Sequence, residues 1–281
     1  MASTIPSVKN AVPTSMTQIG ITAKYALLDY VRSRRFFIML GITALISVLL
    51  TVLVGYYSPR SFLSSELSFY NSWWGNWVTY VIILSGIFFG GDAITGEFQN
   101  KTGYFSVPNP IKRSSIYIGK WLAAFIASFV ILGFFTLVTV GNGLYYFGGV
   151  PYEFVLSLLF SIIYLAAVLG FTFFFSSLFK SSSISILVTA ILFLFAFTLI
   201  QQLVASLVQI EPWFILTYGA QIIGNVLTVP YPDNIVTINF PGGFSFTSYN
   251  ATILSGLAIM GGYFAITAIL GLVLFERKEF N

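Results

Sequence analysis

GGDAITGEFQNKTGYFSVPNPIKRSSIYIGK, residues 90 to 120, is a long polar stretch in a chain that is otherwise strongly apolar. It carries the cations Lys101, Lys112, Arg113 and Lys120 and the anions Asp92 and Glu97, and the Pro108-Asn109-Pro110 break interrupts it. An apolar run lies on each side. A charge at the bilayer centre costs roughly 3 kcal/mol even on lenient scales, so a loop this charged between two spans lies outside the hydrocarbon. What that loop touches on its own side of the membrane is the functional question.

Outward from the loop, composition sets the class. Only 8% of the 281 residues are charged and 57% are hydrophobic, whereas a soluble domain carries about 25% charged residues. Apolar runs of this length cross a bilayer as helices and exclude barrel strands. The chain therefore reads as one all-α membrane domain. Six spans are expected, at roughly 36–57, 77–95, 115–140, 152–178, 184–208 and 251–275. The join between spans 4 and 5, Lys180-Ser181-Ser182-Ser183, reads as the one tight turn. Residues 1–14 read as a loose tail, and no compact apolar core of a cleavable signal peptide is seen before span 1. Ser15 and Gln18 have capping-box spacing. Beyond them Ile19, Ala23, Ala26, Leu27, Tyr30 and Val31 follow helical spacing, with Lys24, Arg32 and Arg35 on another face. That is an amphipathic helix at 15–35 lying in the headgroup layer, the alternative being a helix packed on another domain.

The cations give the orientation. Lys9, Lys24, Arg32, Arg34, Arg35, Lys101, Lys112, Arg113, Lys120, Lys180, Arg277 and Lys278 fall on the side of the N-terminus, and Arg60 falls opposite. Glu66, Glu153, Glu211 and Asp233 lie on the far side. The positive-inside rule then places both termini, the 90–120 loop and the Lys180 turn in the cytoplasm of a cell-membrane protein. The net charge of +4 follows from this topology and does not call for nucleic acid. Tyr56-Tyr57, Trp73-Trp74-Trp77 and Tyr145-Tyr146 are expected at the outer interface as aromatic belts. The outer loop, 209–250, holds Pro212, Pro230, Pro232, Pro241 and Gly242-Gly243. Its first half, 213–227, is apolar but broken by Gly219 and Gly224, and reads as a short re-entrant or interfacial helix buried against protein. Asn250-Ala251-Thr252 is a glycosylation sequon on the outer side and Asn100-Lys101-Thr102 one on the inner side.

Much chemistry is excluded. The chain has no Cys and no His, which removes disulfides, thiolate or imidazole metal ligands and any Ser-His-Asp triad. No P-loop, H-E-x-x-H or paired intramembrane aspartates are present, and no ionisable residue falls mid-span. No catalytic, cofactor or metal site is expected. Uphill movement of a solute would therefore draw its energy from another polypeptide. Within the spans, Thr43, Ser47, Thr51 and Gly55 repeat every fourth residue in span 1. Thr198, Gln201, Gln202 and Ser206 form a second polar stripe in span 5. They are candidates for a translocation path between two protomers, with ordinary helix packing as the other reading.

The loop also carries a combination of short elements. Gly91-Asp92 closes span 2, Gly96-Glu97 and Lys101-Thr102-Gly103 follow, then a Ser106-Val107-Pro108 turn. Lys112-Arg113 precedes Ile116-Tyr117-Ile118-Gly119-Lys120 at the start of span 3. This resembles the signature region of ABC-2 type permeases, the membrane subunits of many ATP-driven exporters, and the layout of the whole chain resembles theirs. The resemblance implies a coupling helix between spans 2 and 3, seated in a separate ATPase subunit present in two copies. That subunit would bring ATP and Mg, and a second permease protomer, identical or paralogous, would complete the assembly. By the same resemblance Asp92, Glu97, Phe98, Lys101, Tyr104 and Phe105 become the candidate ATPase-coupling residues. A helix over 93–102 would have Asp92 at its N-terminal dipole. Glu97 would pair with a partner cation or with the Arg-rich entry to span 1, and the aromatics would serve as anchors. The implied function is outward movement of an amphipathic, lipid-linked glycan or peptide substrate. An ion-coupled carrier or channel, or a membrane scaffold that recruits a partner, remains as the alternative.

Overall fold

The computed structural model describes residues 14–99, 112–239 and 245–278. The expected tail before Thr14, the coupling candidates Lys101, Tyr104 and Phe105, the Pro108-Asn109-Pro110 break, the inner sequon and Pro241-Gly242-Gly243 lie outside the described residues.

Among the described residues six helical segments are long and apolar enough to cross a membrane. Helix α1 (Ser15–Arg32) precedes them. Its cap is Thr14 and not the expected Ser15: the Thr14 hydroxyl accepts from the Thr17 N–H at 3.4 Å. Gln18, expected in a capping box, instead accepts from the Lys112 N–H at 3.1 Å. α1 packs along the first turns of α7 (Arg113–Phe147). Gly119 makes this fit, because a Cβ there would stand 2.7 Å from Thr22 Cβ. Ile19, Ala23 and Leu27 face the protein half-buried, while Met16, Ile21, Tyr25 and Leu28 stay exposed. The helix thus packs on its own chain and also presents an apolar face outward, as an interfacial helix does.

Span 1 is α2 (Arg34–Tyr57), entered through Ser33, whose hydroxyl caps it. One stripe of it is buried, Phe36, Met39, Thr43, Ser47, Leu50 and Val54, at the three- and four-residue spacing of a single helix face. Two short helices follow, α3 (Arg60–Leu63) and α4 (Glu66–Tyr70), then a wide π-type turn at Asn71–Gly75, then α5 (Val78–Gly90) and α6 (Thr95–Gln99). Span 2 is therefore a chain of pieces from Glu66–Gln99, longer than the 77–95 expected. α7 has 35 residues, about 50 Å at 1.5 Å per residue, and projects beyond a hydrocarbon core of about 30 Å. It runs seven residues past the expected end of span 3. The link to α8 (Tyr152–Leu178) is thus only 148–151, and the Lys180 turn is not the sole tight connection. Span 5, Ser182–Val208, comprises α9 (Ser182–Ile191), a π segment at Leu192–Ala196, α10 (Phe197–Leu203) and a π segment at Val204–Val208. Span 6 is α13 (Ile253–Arg277), reached after α11 (Leu216–Gly219) and α12 (Ile222–Asn225).

α5, α7 and α8 form the interior, with α13 against α8. Contact between α5 and α8 depends on Gly86 and Gly90: a Cβ at either would meet Val168 Cγ1 at 2.5 Å or Thr172 Oγ1 at 2.1 Å. Lipid offers no hydrophobic gain for helix association, so close backbone approach of this kind carries the packing. α2 and span 5 are peripheral and largely exposed along their apolar faces.

Two further expectations are corrected. Trp73 and Trp74, expected in an interfacial belt, are wholly buried; Tyr56, Tyr57 and Tyr145 are exposed, and Trp77 is partly so. The π turn carries both indoles into the core, where Trp74 stacks on Phe135 at 5.6 Å and donates from Nε1 to Ser157 Oγ at 3.0 Å. The far loop also holds an antiparallel hairpin, β1 (Ile235–Asn239) with β2 (Ser245–Tyr249), Thr237 opposite Thr247, where no strand was expected. In the first half of that loop α11 and α12 bury Leu216, Tyr218, Ile222 and Ile223 against protein, whereas Trp213 and Phe214, at the start of the stretch expected to be buried, stay exposed.

Candidate functional site

α5 ends at Gly90, and the chain turns through 91–94 into α6. This turn leaves backbone donors that a helix would have used internally. Ser176 of α8 takes two of them: its hydroxyl accepts from the Ile94 N–H at 2.9 Å and from the Thr95 N–H at 3.1 Å, all buried. The Ala93 carbonyl accepts from Lys120 Nζ of α7 at 2.9 Å. Tyr30 of α1 donates to the Phe89 carbonyl at 2.8 Å. Burial, and after it the Asp92 carboxylate, raises the Tyr30 hydroxyl well above its ordinary value and keeps it a neutral donor.

Two ion pairs clamp the same segment. Arg35, at the entry to α2, reaches Asp92 at 2.6 Å, and Lys120 reaches Glu97 at 2.5 Å. The Arg-rich entry to span 1 thus reaches Asp92, while Glu97, expected to pair with that entry or with a partner cation, meets Lys120. The Arg35 side chain is 48% exposed, so that pair contributes no more than about 1 kcal/mol. Lys120 and Glu97 are only 17% and 20% exposed. Removing one of them strands a charge in poorly hydrated surroundings, at a cost of about 2 kcal/mol.

The far end of α6 is tied as well. Gln99 Oε1 accepts from the Ser182 N–H of α9 at 3.1 Å. Phe98 meets the Phe275 ring of α13 edge-on at 6.2 Å, and Lys278 Nζ sits 4.4 Å from its centroid. Lys278 also donates to the Ser177 and Phe179 carbonyls at 3.0 and 2.5 Å. Burial first, and then nearby Lys180, lowers its affinity for its proton. Residues 89–99 thus receive a contact from every other span and from α1. Between α1 and α6 lies a cleft of about 330 Å³ whose wall includes Asp29, Asp92, Glu97 and Lys120.

Of the sequence-derived coupling candidates, Asp92, Glu97 and Phe98 meet here, all engaged by their own chain. Sequence reasoning missed Lys120 as the partner of Glu97 and Ser176 as the acceptor for the Ile94 and Thr95 N–H groups, since nothing local in the sequence links residues 23 or 82 positions apart. The two polar stripes go to different places. Thr43 and Ser47 are buried, their hydroxyls donating to the carbonyls four residues back, and Thr51 also accepts from Asn142 of α7. They sit in the seam of α2 with α7. Thr198 instead lines a cleft of about 420 Å³ at the opposite end of the bundle from α6. Gln201 stands at its border, accepting from Thr217 of α11 at 3.1 Å, and Gln202 is exposed.

The sequence profile of a family described as ABC-2 family transporter protein matches residues 21–280. No individually curated protein matches the chain.

Proposed function

The chain belongs to the ABC-2 transporter family, whose profile covers nearly all of it, and from that premise we propose that residues 89–105 are where a separate ATPase drives it. It is a multi-pass membrane subunit of an ABC transporter, and the family implies association with an ABC ATPase. Two ATPase copies, binding ATP and Mg, act on a pair of permease protomers in the cytoplasmic membrane, with both termini cytoplasmic. The transport is outward, of an amphipathic, glycan, lipid or peptide type of substrate.

One observation carries the reading: all the other spans and α1 converge on 89–99 through Ser176, Lys120, Arg35, Tyr30, Ser182 and Phe275. A push delivered next to this segment cannot be absorbed locally. In this account Asp92, Glu97 and Phe98 fasten the segment to the bundle, while Lys101, Tyr104 and Phe105 meet the ATPase. The test is purification from native membranes through a tag on this chain. An ATP-hydrolysing polypeptide with its own P-loop is expected in stoichiometric amount. Recovery of the chain with no nucleotide-hydrolysing partner under conditions that preserve other ABC assemblies would overturn the proposal.

A further inference from the structure

We infer that the 420 Å³ cleft at the end of the bundle opposite α6 binds an uncharged, hydroxyl-rich ligand, a saccharide unit being the chemical class it fits. The inference deepens the transport reading by naming the chemistry of the cargo, and it rests on that reading only for calling the ligand a cargo.

The walls come from the π turn at Asn71–Gly75, the start of α5, α8, span 5 and the α11–α12 loop. They are fixed by cross-ties before any ligand arrives. Gly75 and Gly224 let the turn and the loop touch: a Cβ on Gly75 would stand 3.2 Å from Gly224 Cα. Asn71 Nδ2 donates to Thr228 Oγ1 at 3.1 Å. Behind them Trp74 donates to Ser157, which donates to the Ile223 carbonyl at 2.5 Å. Gln221 Oε1 accepts from the Ala251 N–H at 3.1 Å, which leaves its amide nitrogen for the cleft. Such preorganisation lowers the entropy lost on binding.

The lining chooses the ligand. Among the described residues that line the cleft none carries a charge, so an anion or a cation would be desolvated without compensation. Amides such as Asn76 and hydroxyls such as Thr79 and Thr198 both donate and accept, which is what a sugar hydroxyl requires. Tyr80, half exposed, adds a flat apolar face for the C–H side of a ring. A purely apolar ligand would strip water from the amides and return nothing. Tyr164, wholly buried, is a further wall residue. The volume lies within the roughly 300–1,000 Å³ of small-molecule sites.

The experiment uses the purified full chain in nanodiscs without any ATPase, titrated calorimetrically with maltotriose and triacetylchitotriose, and with sialyllactose as a charged comparator. At least one neutral trisaccharide should bind, and sialyllactose should bind at least about tenfold more weakly. Thr198→Val, which removes an exposed hydroxyl from the wall and keeps its shape, should weaken binding about tenfold while leaving the unfolding temperature unchanged. Asn76→Leu should weaken binding by a similar factor. No binding of either neutral sugar, equal binding of the charged one, or full affinity in both variants would overturn the inference. Saccharide binding with no flux in vesicles would leave the inference standing and sink the transport reading. Flux of other cargo with no saccharide binding would do the reverse.

Discussion

Lys120 serves two groups at once, the Glu97 carboxylate and the Ala93 carbonyl. Its loss should therefore be felt more than that of an exposed cation. Lys120→Met is expected to destabilise the chain by about 2 kcal/mol, since Glu97 is left charged and poorly hydrated. Adding Glu97→Gln should recover at least about half of that loss, because the orphaned charge goes with it. Thermal unfolding in detergent of both single variants and the double variant checks this, and strict additivity would show that the two groups do not interact. At this scale the sequence was only partly legible. Asp92 and Glu97 stood out as rare acids in a basic loop, but which cation each one meets depends on how α2 and α7 come together. No spacing along the chain encodes that.

Among elements, the α5–α8 seam should be the least tolerant of added volume. Gly86→Ala and Gly90→Ala each drive a methyl group into a β-branched neighbour, Val168 or Thr172, that has few rotamers to escape into. Each should cost about 1–3 kcal/mol. Gly261 of α13 is the control, with nothing within 4 Å of its Cβ position. Gly261→Ala should be neutral or stabilise by up to about 1 kcal/mol through helix propensity. Unfolding midpoints of the three variants decide it, and equal effects would contradict the packing described. The apolar runs made the six spans legible, because length in lipid is a strict requirement. The pieces of span 2 were not legible: the π turn at Asn71–Gly75 has no strong composition signal, yet it turns Trp73 and Trp74 inward. The β1–β2 hairpin lay unseen among prolines and glycines for a similar reason, its strands being short and only weakly alternating.

For the whole molecule, the account requires the two clefts to open on opposite sides of the membrane. The chain has no cysteine, so single cysteines can be introduced without background. Ser64 and Ser183 are both exposed, at opposite ends of the spans. Ser183→Cys should react with a membrane-impermeant maleimide only in inverted vesicles, and Ser64→Cys only in intact cells. Labelling of both from one side would overturn the topology.

The central claim is that force enters at 89–105 and reaches the far end through Glu97 and its neighbours. An environment-sensitive fluorophore on Thr228→Cys, at the rim of the far cleft, reads this directly in vesicles that also hold the partner ATPase. Adding ATP should change its emission. In Glu97→Ala that change should fall about tenfold while ATP hydrolysis continues. An ATP-driven change that persists undiminished in Glu97→Ala would contradict the account, as would its absence in the unaltered chain while ATP is being hydrolysed.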